Sequence, residues 1–141
     1  MSGARSGREG AATRSERGTR RILIVEDSPT MRQLLAFALR GLERVEIVEA
    51  VDGMDALRRL RSDGFDLALV DIHMPVMDGL KLIAMMKGEP ELARVPVVVI
   101  TTEGNRGDRE RALALGADAY LSKPVKSGRV LEIAEALLKG G

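Results

Sequence analysis

The 141-residue sequence predicts an α/β fold in which a parallel sheet of about five strands is covered by helices on both faces. Two observations carry this prediction. From Arg21 onward, short apolar runs alternate with stretches of helical period, the pattern of a repeated strand-helix unit. Three of the runs, Ile22-Leu23-Ile24-Val25, Leu67-Ala68-Leu69-Val70 and Val97-Val98-Val99-Ile100, are apolar at every position rather than at every second one. Continuous apolar runs of this kind belong to strands packed under helices on both sides.

Taken in order, residues 1–20 hold no large apolar side chain after Met1, so ordering them loses entropy without compensating burial, and a disordered tail is expected. Its arginines, Arg5, Arg8, Arg14, Arg17 and Arg20, outnumber Glu9 and Glu16. Such a segment is either a solvated leader or a lure for an acidic partner or membrane surface. The folded domain is then expected over 21–141, opening with the central strand Ile22–Val25.

Ser28 before Pro29 starts a helix, with the hydroxyl as cap and the proline in the first turn. Met31, Leu34, Leu35, Ala38, Leu39 and Leu42 give it one apolar stripe. Val45–Ala50 alternates apolar and acidic residues, so it reads as a strand nearer the edge. A second helix carries Ala56, Leu57 and Leu60. After the central strand Leu67–Val70, Asp78-Gly79 forms a turn in which Asp78 caps a third helix bearing Leu80, Ile83 and Met86. Met74, Met77, Met85 and Met86 read as packing residues, or as an adaptable binding surface. The strand Val97–Ile100 leads to a helix over 105–115, which Gly104 and Gly107 weaken. Short Ala119-Tyr120-Leu121 is the last strand, and Val130, Ile133, Ala134 and Leu137 mark the last helix.

Composition narrows the function. There is no cysteine, which excludes a disulfide framework, a thiolate zinc site and a thiol nucleophile. The net charge of +1 creates no field that implies nucleic acid. No apolar run approaches the roughly 20 residues of a membrane span, and no secretory h-region is present, so a soluble, cytoplasmic protein is expected.

The functional signal lies just beyond the strands, because ligands of open parallel sheets bind at the strands' carboxyl ends. Glu26 and Asp27 close the first strand, Asp71 the third and Thr101 the fourth, and Lys123 follows the fifth. In the flavodoxin-like, doubly wound order 2-1-3-4-5, strands one and three are neighbours, so their terminal acids converge. Two carboxylates about 5 Å apart repel by roughly 3 kcal/mol at an effective dielectric of 20. Lys123 offsets part of this. A hard cation such as Mg2+ offsets more, since it takes one or two carboxylates and keeps its other positions for water or phosphate. An aspartate beside such a cation and a lysine can serve as a nucleophile toward phosphorus, with catalysis by positioning and electrostatics. Alone, Asp71 would read as a turn or helix cap and Thr101 as strand filler; their company gives them the chemical reading.

The stretches ILIVEDSPTMRQLL, LALVDIHMPVMDGL, VVVITTEG and GADAYLSKP, in this order from about Arg21 to Lys139, closely resemble the receiver domain of CheY-like response regulators. The resemblance implies a (βα)5 fold and a two-component signalling switch that accepts a phosphoryl group from a histidine kinase or phosphotransfer protein. Asp71 becomes the phosphoacceptor. Asp27, Asp71 and the backbone carbonyl of His73 become ligands of Mg2+ or Mn2+, with Glu26 acting through water. Thr101 and Lys123 contact the phosphoryl group, and Tyr120 is the aromatic whose rotation follows Thr101. Such a protein catalyses its own phosphotransfer and slow autodephosphorylation and is not an enzyme toward other substrates.

Output is expected through protein contact at the surface of the fourth helix, fifth strand and fifth helix, or by relay of the phosphoryl group. DNA binding is not expected, because no helix-turn-helix or basic recognition helix follows the receiver. The alternatives are a phosphorylation-independent docking module and a hydrolase with an aspartyl-phosphate intermediate. The family habit also raises the expectation of a cis Lys123-Pro124 bond. Three positions depart from the common pattern. Val125 replaces an aromatic, Thr102 a small residue, and His73 a polar residue at a place that influences attack of water on the phosphoryl group.

Overall fold

In the computed structural model, which describes residues 18–102 and 104–140, strands and helices alternate along the chain. They are β1 (Arg20–Val25), α1 (Pro29–Leu39), β2 (Val45–Ala50), α2 (Gly53–Ser62), β3 (Leu67–Asp71), α3 (Gly79–Lys87), β4 (Val97–Thr102), α4 (Arg106–Leu115), β5 (Ala119–Lys123) and α5 (Ser127–Gly140), with a 3-10 turn at Leu92–Arg94. The five strands form one sheet in the order β2-β1-β3-β4-β5, every pair parallel. The flavodoxin-like architecture expected from the sequence is therefore present.

The continuous apolar runs are explained by a core on each face. Leu23, Val25, Ala68, Val70, Val97 and Val99 pack against Ala56, Leu57 and Leu60 of α2 and Leu82, Ile83 and Met86 of α3. The alternate residues Ile22, Ile24, Leu67, Leu69, Val98 and Ile100 pack against α1 and α5 through Leu35, Leu39, Val130, Ile133 and Leu138. Fully burying each such aliphatic side chain stabilises the fold by about 1.5–3 kcal/mol. Among the methionines, Met77 and Met86 are buried in this core, with Met74 and Met85 packed on its margin.

Local chemistry sets the helix starts as read from the sequence. The Ser28 hydroxyl accepts from the Met31 amide, with Pro29 in the first turn, and Asp78 accepts from the Lys81 amide. Several boundaries differ. β1 begins at Arg20, whose amide donates to the Arg44 carbonyl at 2.8 Å, two residues before the expected strand at Ile22 and one before the expected domain start. The remainder of the tail, up to residue 17, lies outside the described residues. Leu42 falls beyond the end of α1 yet remains buried, and Leu138 rather than half-buried Leu137 completes the stripe of α5. α4 forms despite Gly107, because Asn105 caps it and Gly104, at φ +89°, serves the preceding turn. Lys123 is the last residue of β5 rather than the first beyond it, and its bond to Pro124 is cis.

No helix among the described residues is long and apolar enough to cross a membrane.

Candidate functional site

The carboxyl ends of β1, β3, β4 and β5 meet at one edge of the sheet. Asp71 ends β3, with its neighbours set by register: β1 lies on one side and β4 on the other. Its carboxylate is nearly sealed from solvent, with 2% of the side chain exposed. Oδ1 accepts from the His73 amide at 3.2 Å and Oδ2 pairs with Lys123 Nζ at 3.3 Å. Lys123 reaches it from the far end of β5, two strands away.

Glu26 and Asp27 close the other side. Carboxylate oxygens of Glu26, Asp27 and Asp71 all lie within 4.8 Å of one another. Glu26 is buried and Asp27 exposed, so the group has a closed floor and an open rim. Glu26 Oε2 accepts from the Ser28 amide at 3.0 Å, while its Oε1 is buried with no hydrogen-bond partner. Burial, with the Asp71 charge adding to it, pushes the Glu26 carboxyl up to about 7; the Ser28 amide and Lys123 act in the opposite direction. The Arg32 guanidinium holds the turn by donating to the carbonyls of Glu26 and Asp27 at 2.9 and 3.2 Å.

Thr101 sits on β4 beside Asp71, and its Oγ1 is likewise buried and unpartnered. Buried polar atoms are normally satisfied, because leaving one bare costs about 1–3 kcal/mol. Two such atoms, one acceptor and one hydroxyl, on opposite sides of a sealed carboxylate fit a cation on the acidic side and an anion on the Thr101 side. The donors near the acids are carboxylate oxygens, which suits a hard divalent ion.

Gly79 makes room for this arrangement. A Cβ there would stand 2.5 Å from the Asp71 carbonyl oxygen and 2.8 Å from Ile72 Cα, so only glycine lets α3 start directly behind the site.

The structure thus brings together Glu26, Asp27, Asp71, Thr101 and Lys123, and His73 enters through its backbone. Tyr120 stays apart. It is 36% exposed, with the Arg109 guanidinium 4.7 Å from the ring centroid and Arg109 Nη1 3.2 Å from the hydroxyl.

Sequence reasoning missed Asp108. This buried carboxylate at the start of α4 lies 3.0 Å from His73 Nε2 and accepts from Asn105 Nδ2 at 2.7 Å. The Asn105-x-x-Asp108 spacing is a helix-start signal, but nothing in it reveals a partner on the loop after β3.

Comparison with known proteins agrees with this architecture. Residues 22–135 match the family model of the response regulator receiver domain. The chain is 36% identical over 112 residues to the chemotaxis protein CheY-3 of Vibrio cholerae, covering 79% of this chain and 86% of that protein. It is 37% identical over 103 residues to a gliding motility regulatory protein of Myxococcus xanthus; the match covers 73% of this chain but only 13% of that protein. Among solved structures it is similar to the receiver domain of a sensor histidine kinase from Pseudomonas aeruginosa, described with a magnesium ion coordinated in its active-site cleft. That match has a TM-score of 0.78 and 30% identity, and covers 86% of this chain and 98% of that one. The chain belongs to the response regulator receiver family, and its place is in two-component signal transduction.

Proposed function

We propose that this receiver, taken as residues 21–141 behind a tail over 1–20, accepts a phosphoryl group on Asp71 from a histidine kinase or phosphotransfer protein in the cytoplasm. The observation that carries the reading is the buried Asp71 carboxylate held between Lys123 and the Glu26–Asp27 pair, with the Thr101 hydroxyl unpartnered beside it.

A carboxylate oxygen of Asp71 attacks phosphorus; a P–O bond forms as the bond to the donor's imidazole nitrogen breaks, and the electron pair leaves with the imidazole. Lys123 stabilises charge on the phosphoryl oxygens, and the Thr101 hydroxyl donates to one of them. Asp27, Asp71 and the His73 carbonyl would hold Mg2+ or Mn2+, with Glu26 acting through water. When bound, the cation supplies charge neutralisation for the acids and the phosphoryl group. The phosphorylated residue carries about 1.5–2 negative charges by analogy with other phosphorylated side chains, enough to bias an existing conformational equilibrium. Thr101 and Tyr120 carry that bias to a partner protein at the face formed by α4, β5 and α5, without DNA binding or membrane insertion.

Incubation with acetyl phosphate, with and without Mg2+, tests the reading by intact-protein mass spectrometry. Wild-type protein should gain one phosphoryl group in a Mg2+-dependent manner, and Asp71→Ala should gain none. Failure of the wild type with acetyl phosphate and with a phosphorylated sensor kinase would instead favour a phosphorylation-independent docking module.

A further inference from the structure

Asp27 is the exposed member of the acidic group, and among the described residues its carboxylate takes no hydrogen bond or ion pair. Where it stands is therefore set by its backbone. Arg32, in the first turn of α1, holds that backbone: its Nη1 donates to the carbonyls of both Glu26 and Asp27. Its Nε donates to Glu49 Oε1 at 2.9 Å, on the neighbouring strand β2. The Arg32 side chain is largely enclosed, with 18% exposed. The Glu26 amide also donates to the Ala50 carbonyl at 3.1 Å, so the acidic turn is tied to β2 twice. One tie is backbone, and the other runs through the Arg32–Glu49 pair.

A guanidinium is always charged, and its planar fork presents donors in a fixed geometry. These two properties act on a bound cation in opposite directions. The charge repels it. The fork favours it, because a turn already fixed loses less conformational entropy when Asp27 becomes a ligand. We infer that Arg32 is a positioning residue for the cation: by clamping the Glu26–Asp27 turn it preorganises the Asp27 carboxylate, and Glu49 keeps the clamp aligned. The positioning effect outweighs the repulsion, since Glu49 lies against the guanidinium and carries the opposite charge. The inference rests on the reading that Asp27 takes the cation. It also fixes a sign. Through charge alone, loss of Arg32 would tighten cation binding; through positioning, it weakens binding.

Isothermal titration with Mg2+ alone, with no phosphodonor present, reads that sign. Arg32→Met keeps the aliphatic stem and should weaken Mg2+ binding by about tenfold, the scale seen when a group that supports a metal ligand is removed. Arg32→Lys, a point-charge donor without the fixed fork, should recover part of the affinity. Glu49→Ala, on the exposed edge strand, should weaken binding by about threefold and add nothing in the Arg32→Met background, because the two residues act as one unit. The Mg2+ concentration for half-maximal phosphorylation by acetyl phosphate should rise in step with these affinities. The inference is overturned if Arg32→Met binds Mg2+ as tightly as wild type or more tightly. It is also overturned if Glu49→Ala weakens binding equally with and without Arg32, which would mark a charge acting through space. Asp27→Ala separates this inference from the reading beneath it. Lost affinity there with wild-type affinity in Arg32→Met overturns the inference alone, whereas unchanged affinity in Asp27→Ala overturns the cation reading and the inference with it.

Discussion

The backbone of Gly79 lies so close to Asp71 that a methyl group on its Cα would stand 2.5 Å from the Asp71 carbonyl oxygen. The Gly79 amide uses this proximity, donating to the Ile72 carbonyl at 2.9 Å and pinning the first turn of α3 to the end of β3. Backbone atoms cannot retreat as a flexible side chain can. Gly79→Ala should therefore destabilise the fold by about 2–3 kcal/mol, the usual cost of overpacking a tight site. Urea unfolding checks this; an unchanged midpoint would mean that α3 can withdraw freely from Asp71.

Lys123 pairs with Asp71, and its side chain is partly open to solvent while that of Asp71 is closed. Lys123→Ala should slow phosphorylation by acetyl phosphate about a hundredfold, as loss of one preorganised electrostatic contact commonly does, without abolishing it. Stopped-flow or quenched time courses at saturating Mg2+ give the rate. A near-wild-type rate would remove Lys123 from the chemistry.

Glu26 makes stability depend on pH. Its carboxyl titrates near 7 in the folded protein, above the ordinary 4.5, so the folded state binds the proton more tightly than the unfolded state does. The stabilisation is fully present below about 4.5 and is lost as pH rises through about 7. In the absence of divalent cations, the loss is on the order of 3 kcal/mol. Glu26→Gln should flatten this part of the stability profile. Mg2+ should stabilise the wild type more at pH 8 than at pH 5, because a cation and a proton compete for the same acidic group. Thermal unfolding across this range, with chelator or Mg2+, would contradict the account if the Glu26→Gln variant kept the wild-type slope.

Val76 is 81% exposed and adopts a φ of +68°, in the left-handed region that a β-branched residue disfavours. Its exposed side chain gains little packing to offset that cost. Val76→Asn and Val76→Gly should each stabilise the protein by about 1 kcal/mol, read from denaturant midpoints. Destabilisation by both variants would show that the valine side chain contributes more than its exposure indicates.

Much of this architecture was legible because it depends on local pattern. The continuous apolar runs reported strands packed on both faces, and Ser28, Asp78 and their spacings reported helix starts. The grouping of Glu26, Asp27, Asp71, Thr101 and Lys123 followed from strand order and from each residue's place at a strand end. What escaped the sequence depends on contacts between distant segments. The His73–Asp108 pair joins two segments that are neighbours only once β3 and β4 align, and Glu26's shifted titration arises from burial that composition does not show. The strain at Val76 lies in its backbone conformation, which the residue type would argue against. Arg109 covering the Tyr120 ring was equally unreadable, since it requires α4 to lie beside β5.

Site mapping of the phosphoryl group tests the central claim most directly. Protein phosphorylated with acetyl phosphate and Mg2+ is reduced with borohydride, which converts an aspartyl phosphate to homoserine, and the peptides are then sequenced by mass spectrometry. The account predicts homoserine at position 71 and nowhere else, and no conversion when Mg2+ is withheld. A phosphoryl group found on His73, at another carboxylate, or on no residue despite a competent kinase donor would contradict it.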